Sequence, residues 1–428
     1  MKIGILGYGK EGESAEKYFK KHGANIKIFD KFSPDTAGDL DLSDLDVIVR
    51  SPSIPPLQYW PTTPASLSPQ TKWESVTQYF FAHCPAPIIG VTGTKGKGTT
   101  SSLTAQLLRD LGVRAWLIGN IGTPATDVLD EIQPGDVVVY EMSNFQLWDL
   151  EKSPHIAIVV RIEPDHLNVH PSFEDYVNAK SNIARHQTPD DTCIYYSPNQ
   201  ESTKIAQLSP GHKIAYPLDD SADRTILDHL LDHLYIPGQH NRNNAEAALL
   251  AVSSYFNLPL TDFIQQNSDS IIHTFETFPG LPHRLQFVRE LNGVKYYDDN
   301  FSSAFPATDV ALATFPNQPI FLIAGGLDRG LDHTPAQQRI FKNTPNLRKA
   351  FLIGQTSTKL AADQDPSRYQ LCQTLAEAFN AARTAAEAES ARTGQTVILL
   401  MSPGAPSFDM FKNFADRGQQ FQKLVEAL

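Results

Sequence analysis

The chain has 428 residues, 41% of them hydrophobic and 20% charged, with a formal net charge of −12. That length suggests about three domains of roughly 150 residues, and the acidic balance argues against a nucleic-acid-binding surface. Cys84, Cys193 and Cys372 are too far apart for a zinc or redox motif, no apolar run approaches the ~20 residues of a membrane span, and Met1 leads straight into a strand with no signal peptide, so a cytoplasmic globular protein with no membrane contact is expected.

Ile3 to Leu6 reads as a strand, Gly7-Tyr8-Gly9-Lys10-Glu11-Gly12 as a glycine turn opening a helix to Lys21, and Asn25 to Phe29 as a second strand ending at Asp30. This is the βαβ dinucleotide fingerprint with an acidic residue ~20 positions on; alone it predicts NAD, another diphosphate, or a plain turn. Asp46 to Val49 is a further strand, closed by the rigid turn at Ser51-Pro52. Prolines make Pro52 to Pro69 irregular, and Cys84-Pro85-Ala86-Pro87 reads as a linker.

The apolar run Ile88 to Thr92 then leads into Gly93-Thr94-Lys95-Gly96-Lys97-Gly98-Thr99-Thr100 and a helix with leucines at 103, 107, 108 and 111. Strand, glycine loop and helix form an architecture that cradles phosphates. The strict phosphate-loop signature is not met: Gly93 stands too close to Gly96, and Gly98 occupies the place of the Ser or Thr after the lysine. Thr99 and Thr100 are the nearest hydroxyls for magnesium. The alternative is a glycine turn beside surface lysines.

Asp136 to Tyr140 is an apolar strand delivering Glu141, and His155 to Val160 another, leading to Asp165 and His166. Carboxylates and a histidine at neighbouring strand ends, beside a phosphate loop, make Glu141, Asp165 and His166 candidate metal ligands. In the next helix Phe173, Tyr176, Val177, Lys180, Ile183 and Ala184 share one face. A lysine inside an apolar stripe either snorkels to the edge or is paired, neutral or modified. Gln239 to Asn244 opens an alanine-rich helix, where Asn and His side chains could hold a nucleotide or simply cap. After the turn Gly280-Leu281-Pro282-His283-Arg284, strands at Val294–Tyr297, Ile320–Ala324, Ala350–Ile353 and Thr396–Met401 alternate with helices as a second doubly wound unit. The stretch from Thr374 to Arg392 reads as an exposed helix. The expected domains are 1–86, 87–280 and 281–428.

Taken together, the loop at 93–99, Gly119-Asn120-Ile121-Gly122, Glu141-Met142-Ser143-Asn144-Phe145-Gln146-Leu147, Pro164-Asp165-His166, Lys180, Gly238-Gln239-His240-Asn241 and Gly280 to Arg284 resemble the Mur ligases, ATP-dependent amide-forming enzymes of peptidoglycan synthesis. The resemblance runs nearly the whole chain. The ending Ser402 to Gly418 is most similar to members joining D-glutamate to UDP-N-acetylmuramoyl-L-alanine. The resemblance implies three α/β domains: a Rossmann-like UDP-sugar domain, a central P-loop-type ATPase domain, and a Rossmann-like amino-acid domain. It implies that Gly93 to Thr100 bind ATP, with Lys97 on the phosphates. Thr99 and Glu141 would hold one Mg2+, and His166 with a CO2-derived carbamate on Lys180 a second. Asn244, Arg284 and Asp299 would face the nucleotide. Gly9, Lys10, Glu11, Gly12, Asp30, Lys31, Ser51 and Pro52, with Asn120 and Ser143, would face the UDP-sugar, which replaces the NAD reading. Ser303, Arg329, Ser407 and Phe414 would receive D-glutamate. It also implies a monomer whose third domain closes over the second.

Lys97, Glu141, His166 and Lys180 would carry the chemistry. ATP converts a carboxylate to an acyl phosphate, the incoming amine attacks, and phosphate leaves; lysine and two Mg2+ ions stabilise the spreading negative charge. No residue is assigned as general base. Two departures stand out. Many members with D-glutamate specificity have Ser-Lys-Ala-Thr-Asn after the aspartate; here Asn300-Phe301-Ser302-Ser303-Ala304 follows Asp299, so a lysine is replaced by Phe301 and Arg329 becomes the cation for the side-chain carboxylate. Gly98 is also found in the similar loop of folylpolyglutamate synthases, which begin directly with the ATPase domain.

Overall fold

The computed structural model describes residues 1–31, 37–219 and 222–428. Its strands form three sheets. The first, in the order β2-β1-β3-β4, joins β1 (Lys2–Leu6), β2 (Asn25–Phe29), β3 (Val47–Arg50) and β4 (Lys72–Ser75), all parallel. Alternation of side chains sorts its core: Ile3 and Ile5 face Ala15, Phe19 and Val76, whereas Leu6 joins Phe29, Leu42 and Trp60 on the other side.

The second sheet is also wholly parallel. It contains β5 (Ile88–Thr92), β6 (Ala115–Gly119), β7 (Val137–Glu141), β8 (Ile156–Val159), β9 (Thr192–Tyr196) and β10 (His212–Tyr216) in the order β10-β9-β8-β5-β7-β6. Strands β5, β7 and β8 are fully buried, as their unbroken apolar runs require in a sheet covered on both faces. The chain builds to one side of β5 through β6 and β7, then to the other side from β8, so the winding reverses at β5. Crevices for ligands open at the carboxyl ends of strands at such reversals.

The third sheet has the order β11-β12-β16-β13-β14-β15, from β11 (Gln286–Leu291), β12 (Val294–Asp298), β13 (Ile320–Gly325), β14 (Leu347–Ile353), β15 (Tyr369–Leu371) and β16 (Val397–Met401). Only β11 runs antiparallel. Ile320, Leu322 and Ala324 pack to one face, and Phe321 and Ile323 to the other. The first two sheets lie in one compact unit, residues 1–234 and 242–276, and the third in another, residues 235–241 and 277–428.

Most expected strands are present within a residue or two. The helix Leu375–Thr393 differs from its reading as an exposed helix: Leu375, Ala378, Phe379, Ala382 and Ala386 are buried against the third sheet. Small alanines there form an apolar stripe that charged neighbours obscure in the sequence. Strands β4, β9, β10, β11 and β15 and the helix Leu260–Thr277 were not anticipated. Among the described residues no single helix is long and apolar enough to cross a membrane.

Candidate active site

The phosphate-loop candidate leaves β5 and enters the helix Lys97–Asp110. Gly96 turns the chain at φ +100°, a conformation that side chains beyond glycine resist, and a Cβ there would stand 2.6 Å from Asn244 Oδ1. Asn244 thus lies directly over the loop. Two backbone bonds tie the loop to the segment after β8: Thr94 N and Lys95 N donate to the Arg161 carbonyl at 2.8 and 3.4 Å. The Thr94 hydroxyl lies 2.9 Å from both the Glu163 carbonyl and Tyr176 Oη.

Two amines converge on this loop. Lys97 Nζ donates to the carbonyls of Gly93 (2.8 Å) and Thr94 (3.2 Å), and Lys180 Nζ donates to the same Gly93 carbonyl at 2.9 Å. Lys180 is only 1% exposed and lies 4.7 Å from the Tyr176 ring centroid. It does not snorkel. Burial, and then the neighbouring Lys97 charge, drive its pKa well below the ordinary lysine value, against the opposing pull of Asp165 and Glu141. The apolar stripe in the sequence therefore marked an amine whose charged form is disfavoured by burial.

Register sets Glu141 beside Val91, two positions before Gly93. Its buried carboxylate accepts from Asn120 Nδ2 at 2.9 Å. His166 adopts φ +53°, in the left-handed region where histidine is enriched among non-glycine residues, and its ring meets Phe145 edge-on at 5.0 Å. Burial lowers its pKa, with Lys180 and Lys97 adding to that and Asp165 opposing it. Thr99 is half-buried. Thr100 is buried with its Oγ1 lacking a protein partner. Lys97 follows β5, Glu141 ends β7 and His166 follows β8, three adjacent strands, as the strand-end reading expected, and Lys180 joins them from the helix Phe173–Arg185. Among the described residues no three His, Cys, Asp or Glu side chains are grouped to hold a metal on their own.

The turn Gly7 to Gly12 meets the ends of β2 and β3. Tyr8 N donates to Asp30 Oδ1 (3.1 Å), and Ser51 Oγ to the Gly7 carbonyl (2.6 Å). A Cβ on Gly12 would lie 2.2 Å from that carbonyl, which is why the helix start needs glycine here. Gly9, Lys10, Asp30 and Lys31 are exposed, and Pro52 is half-buried. Glu11 Oε1 accepts from Gln146 Nε2 at 2.6 Å, while Oε2 is buried without a partner; burial raises its pKa to about 7, opposed by Gln146 and Arg50. Ser143 and Gln146 form a capping box, so the candidate muramoyl loop is tied through Gln146 to the first glycine turn.

In the second unit, the buried Asp299 accepts from Leu285 N and from the hydroxyls of Ser302 and Ser402, and burial raises its pKa to about 6. Ser303 and Arg329 line a cavity of 180 Å³ with Phe305, His333 and Arg339. Ser407, which is buried, and Phe414 are not among its lining residues. Phe414 instead touches Phe301, whose ring face carries Arg284.

Three supporting side chains escaped the sequence reading. Arg50 is buried and pairs with Asp149 while donating to the carbonyls of Ile54 and Phe145. His170 links Asn144 (2.7 Å) to Asp175 (2.6 Å). Arg417, 0% exposed, donates to Asn300 Oδ1 (2.8 Å) and the Ala405 carbonyl (3.1 Å), knitting together strand-end loops of the third sheet. Only Arg417 carried a signal, an arginine in the final helix within the quoted ending.

Residues 91–252 match the model of the Mur ligase middle domain. Over 99% of this chain and 96% of the relative, the sequence is 32% identical to UDP-N-acetylmuramoylalanine--D-glutamate ligase of Clostridium kluyveri. Among solved structures, UDP-N-acetylmuramate-alanine ligase MurC from Thermotoga maritima superposes with a TM-score of 0.59 at 15% identity, covering 100% of this chain and 99% of that one. MurF ligase from the same organism, in complex with ADP, gives 0.56 at 15% identity, covering 99% and 95%. At such identities the structures speak for the fold.

Proposed function

The chain belongs to the Mur ligase family, and from that premise we propose that it joins D-glutamate to UDP-N-acetylmuramoyl-L-alanine, with ATP converted to ADP and phosphate, in peptidoglycan precursor synthesis. The observation carrying this reading is the meeting of Lys97 and Lys180 on the Gly93 carbonyl beside Glu141. The Lys97 ammonium and the amino end of a helix around one glycine loop make an anion-attracting corner, fit for the phosphates of a nucleotide and for an acyl phosphate. Gly93 to Thr100 and Asn244 are the nucleotide-binding residues on this side, with Arg284 and Asp299 assigned to the same nucleotide.

Lys97 neutralises charge on the transferring phosphoryl group. The carboxylate of the UDP-sugar substrate becomes an acyl phosphate; the amine of D-glutamate attacks it; and phosphate departs from the tetrahedral intermediate. Asn120 and Ser143 orient the muramoyl portion, and residues 1–86 hold the UDP through Gly9 to Gly12, Asp30, Lys31, Ser51 and Pro52. Residues 87–280 form the ATP-binding part and 281–428 the amino-acid part. There, Ser303 and Arg329 bind D-glutamate, together with Ser407 and Phe414.

Magnesium takes hard oxygen ligands and keeps several waters. The Glu141 carboxylate and Thr99 hydroxyl are of that kind, and the partnerless Thr100 Oγ1 offers another oxygen on the same turn. The Lys180 amine is not, but its carbamate is, and burial favours the uncharged amine, the form that adds CO2. The residues therefore fit two ions, one at Glu141 and Thr99 and one at His166 and a carbamylated Lys180. When bound, these ions would supply electrostatic stabilisation of the phosphoryl and acyl oxygens. Labelling with 13C-bicarbonate tests the carbamate: a carbamate resonance should be present in the native enzyme and absent in Lys180→Met.

The reading places a monomer in the cytoplasm, where ATP is available; light scattering tests the monomer. The deciding assay is phosphate release from ATP with UDP-N-acetylmuramoyl-L-alanine and a panel of D- and L-amino acids. Release that requires D-glutamate is the expected result. Release with a different amino acid would move the specificity, and none with any would overturn the ligase reading.

A further inference from the structure

The loop after β12 holds an aromatic residue where a lysine is usual in the D-glutamate-adding members, and the surroundings of that ring suggest what it does. Phe301 is 42% exposed, ordinary for an isolated apolar side chain. Its ring face, however, is occupied: Arg284 Cζ lies 3.8 Å from the centroid, well inside the ~6 Å range of a cation–π contact. A second ring braces it, that of Phe414, perpendicular at 5.1 Å.

The backbone on either side of Arg284 is fastened to the same loop. Phe301 N donates to the His283 carbonyl at 2.9 Å, and Leu285 N donates to Asp299 Oδ1 at 3.1 Å. The root of the arginine is thus pinned by two hydrogen bonds, and its planar tip is laid against a ring that is itself braced by a second ring. A long side chain otherwise loses considerable rotamer freedom on binding a ligand; ordering it beforehand removes much of that cost. A lysine at position 301 could not do this, since it would set one cation against another.

We propose that Phe301 is a positioning residue for Arg284, its ring face orienting the guanidinium plane for paired N–H donation to a nucleotide phosphate. The proposal rests on the reading of Arg284 as a nucleotide ligand. The test is steady-state kinetics of phosphate release on the full-length enzyme, with thermal melts to verify folding. Phe301→Leu removes the ring and should raise KM for ATP about 5-fold, with kcat and KM for the UDP-sugar within about 2-fold, in keeping with the size of a partly exposed cation–π contact. Phe301→Tyr retains a ring face and should keep the native KM. Phe301→Lys should do at least as badly as the leucine. Arg284→Ala is the second arm. If it raises KM for ATP while Phe301→Leu leaves it unchanged, the positioning role is overturned and the nucleotide role of Arg284 stands. If Arg284→Ala itself leaves KM for ATP unchanged, the underlying reading fails and this proposal with it. A rise confined to KM for D-glutamate would mean that the ring serves Phe414 instead. In the double variant Phe301→Leu/Arg284→Ala, the two effects should not multiply, because the ring has nothing left to orient.

Discussion

At the scale of single residues, two ionisable groups with perturbed pKa values tell most about the site. Lys180 is the lysine its helical pattern marked as anomalous, and burial beside Lys97 explains its depressed pKa. Glu11 shows the opposite shift. Its carboxyl, unpaired at Oε2, holds its proton up to about 7 instead of the ordinary 4.5. Between those two values the folded chain keeps a proton that the unfolded chain has released. Glu11 is therefore neutral and harmless at low pH and costs stability increasingly as pH rises from about 4.5 to about 7. Glu11→Gln keeps an oxygen for Gln146 and removes the charge. Its unfolding free energy at pH 8 should exceed that of the native protein by about 3 kcal/mol, and the two should converge near pH 4. Denaturant melts at both pH values check this; an equal offset at each would mean that the proton of Glu11 is not involved.

At the scale of elements, the loop between β5 and the helix Lys97–Asp110 depends on one backbone torsion. Gly96→Ala would force a Cβ into φ +100° and against Asn244 Oδ1. The amide of Asn244 can swing away, whereas the torsion cannot relax without moving the loop. We expect a loss of about 1–2 kcal/mol in stability together with a rise in KM for ATP, because both the loop and Asn244 are displaced. Urea melts with paired kinetics measure the two effects; native values for both would show that the loop tolerates the side chain. The helix Phe173–Arg185 was legible from its periodicity, whereas its start at the Ser172 cap, which accepts from Asp175 N, emerged only in the structure. The helix Leu375–Thr393 was legible in extent and misread in burial, since a stripe of alanines carries too little apolar contrast to reveal which face is covered.

At the scale of the whole molecule, the first and second sheets share one compact unit while the third sheet has its own. Arg50, at the end of β3, is a main fastening between the first two. It pairs with Asp149 and donates to the Phe145 carbonyl, both in the segment that follows β7. Arg50→Met should cost about 3 kcal/mol, the order found on breaking a buried ion pair. Hydrogen exchange should quicken in β1 to β4 before it does in β5 to β10. Uniform acceleration in all ten strands would instead mean that the two sheets open as one.

What the sequence by itself determined is local. Apolar runs of four to six residues closed by glycine or polar turns mark strands and their carboxyl ends, and 3.6-residue periodicity marks helices, because side-chain direction follows backbone geometry within a few residues. The phosphate loop, Glu141 and His166 at strand ends, and the odd lysine at 180 were readable on that basis. The tertiary structure decided which strand ends are neighbours and how deep each side chain lies. Lys180 reaches the Gly93 carbonyl across 87 residues, a meeting set by the order β8-β5-β7. The partners of Arg50, the orphan oxygen of Glu11 and the ring beneath Arg284 were likewise hidden. Burial and charge pairing are properties of the packed whole, and no window along the chain encodes the dielectric in which a side chain will finally sit.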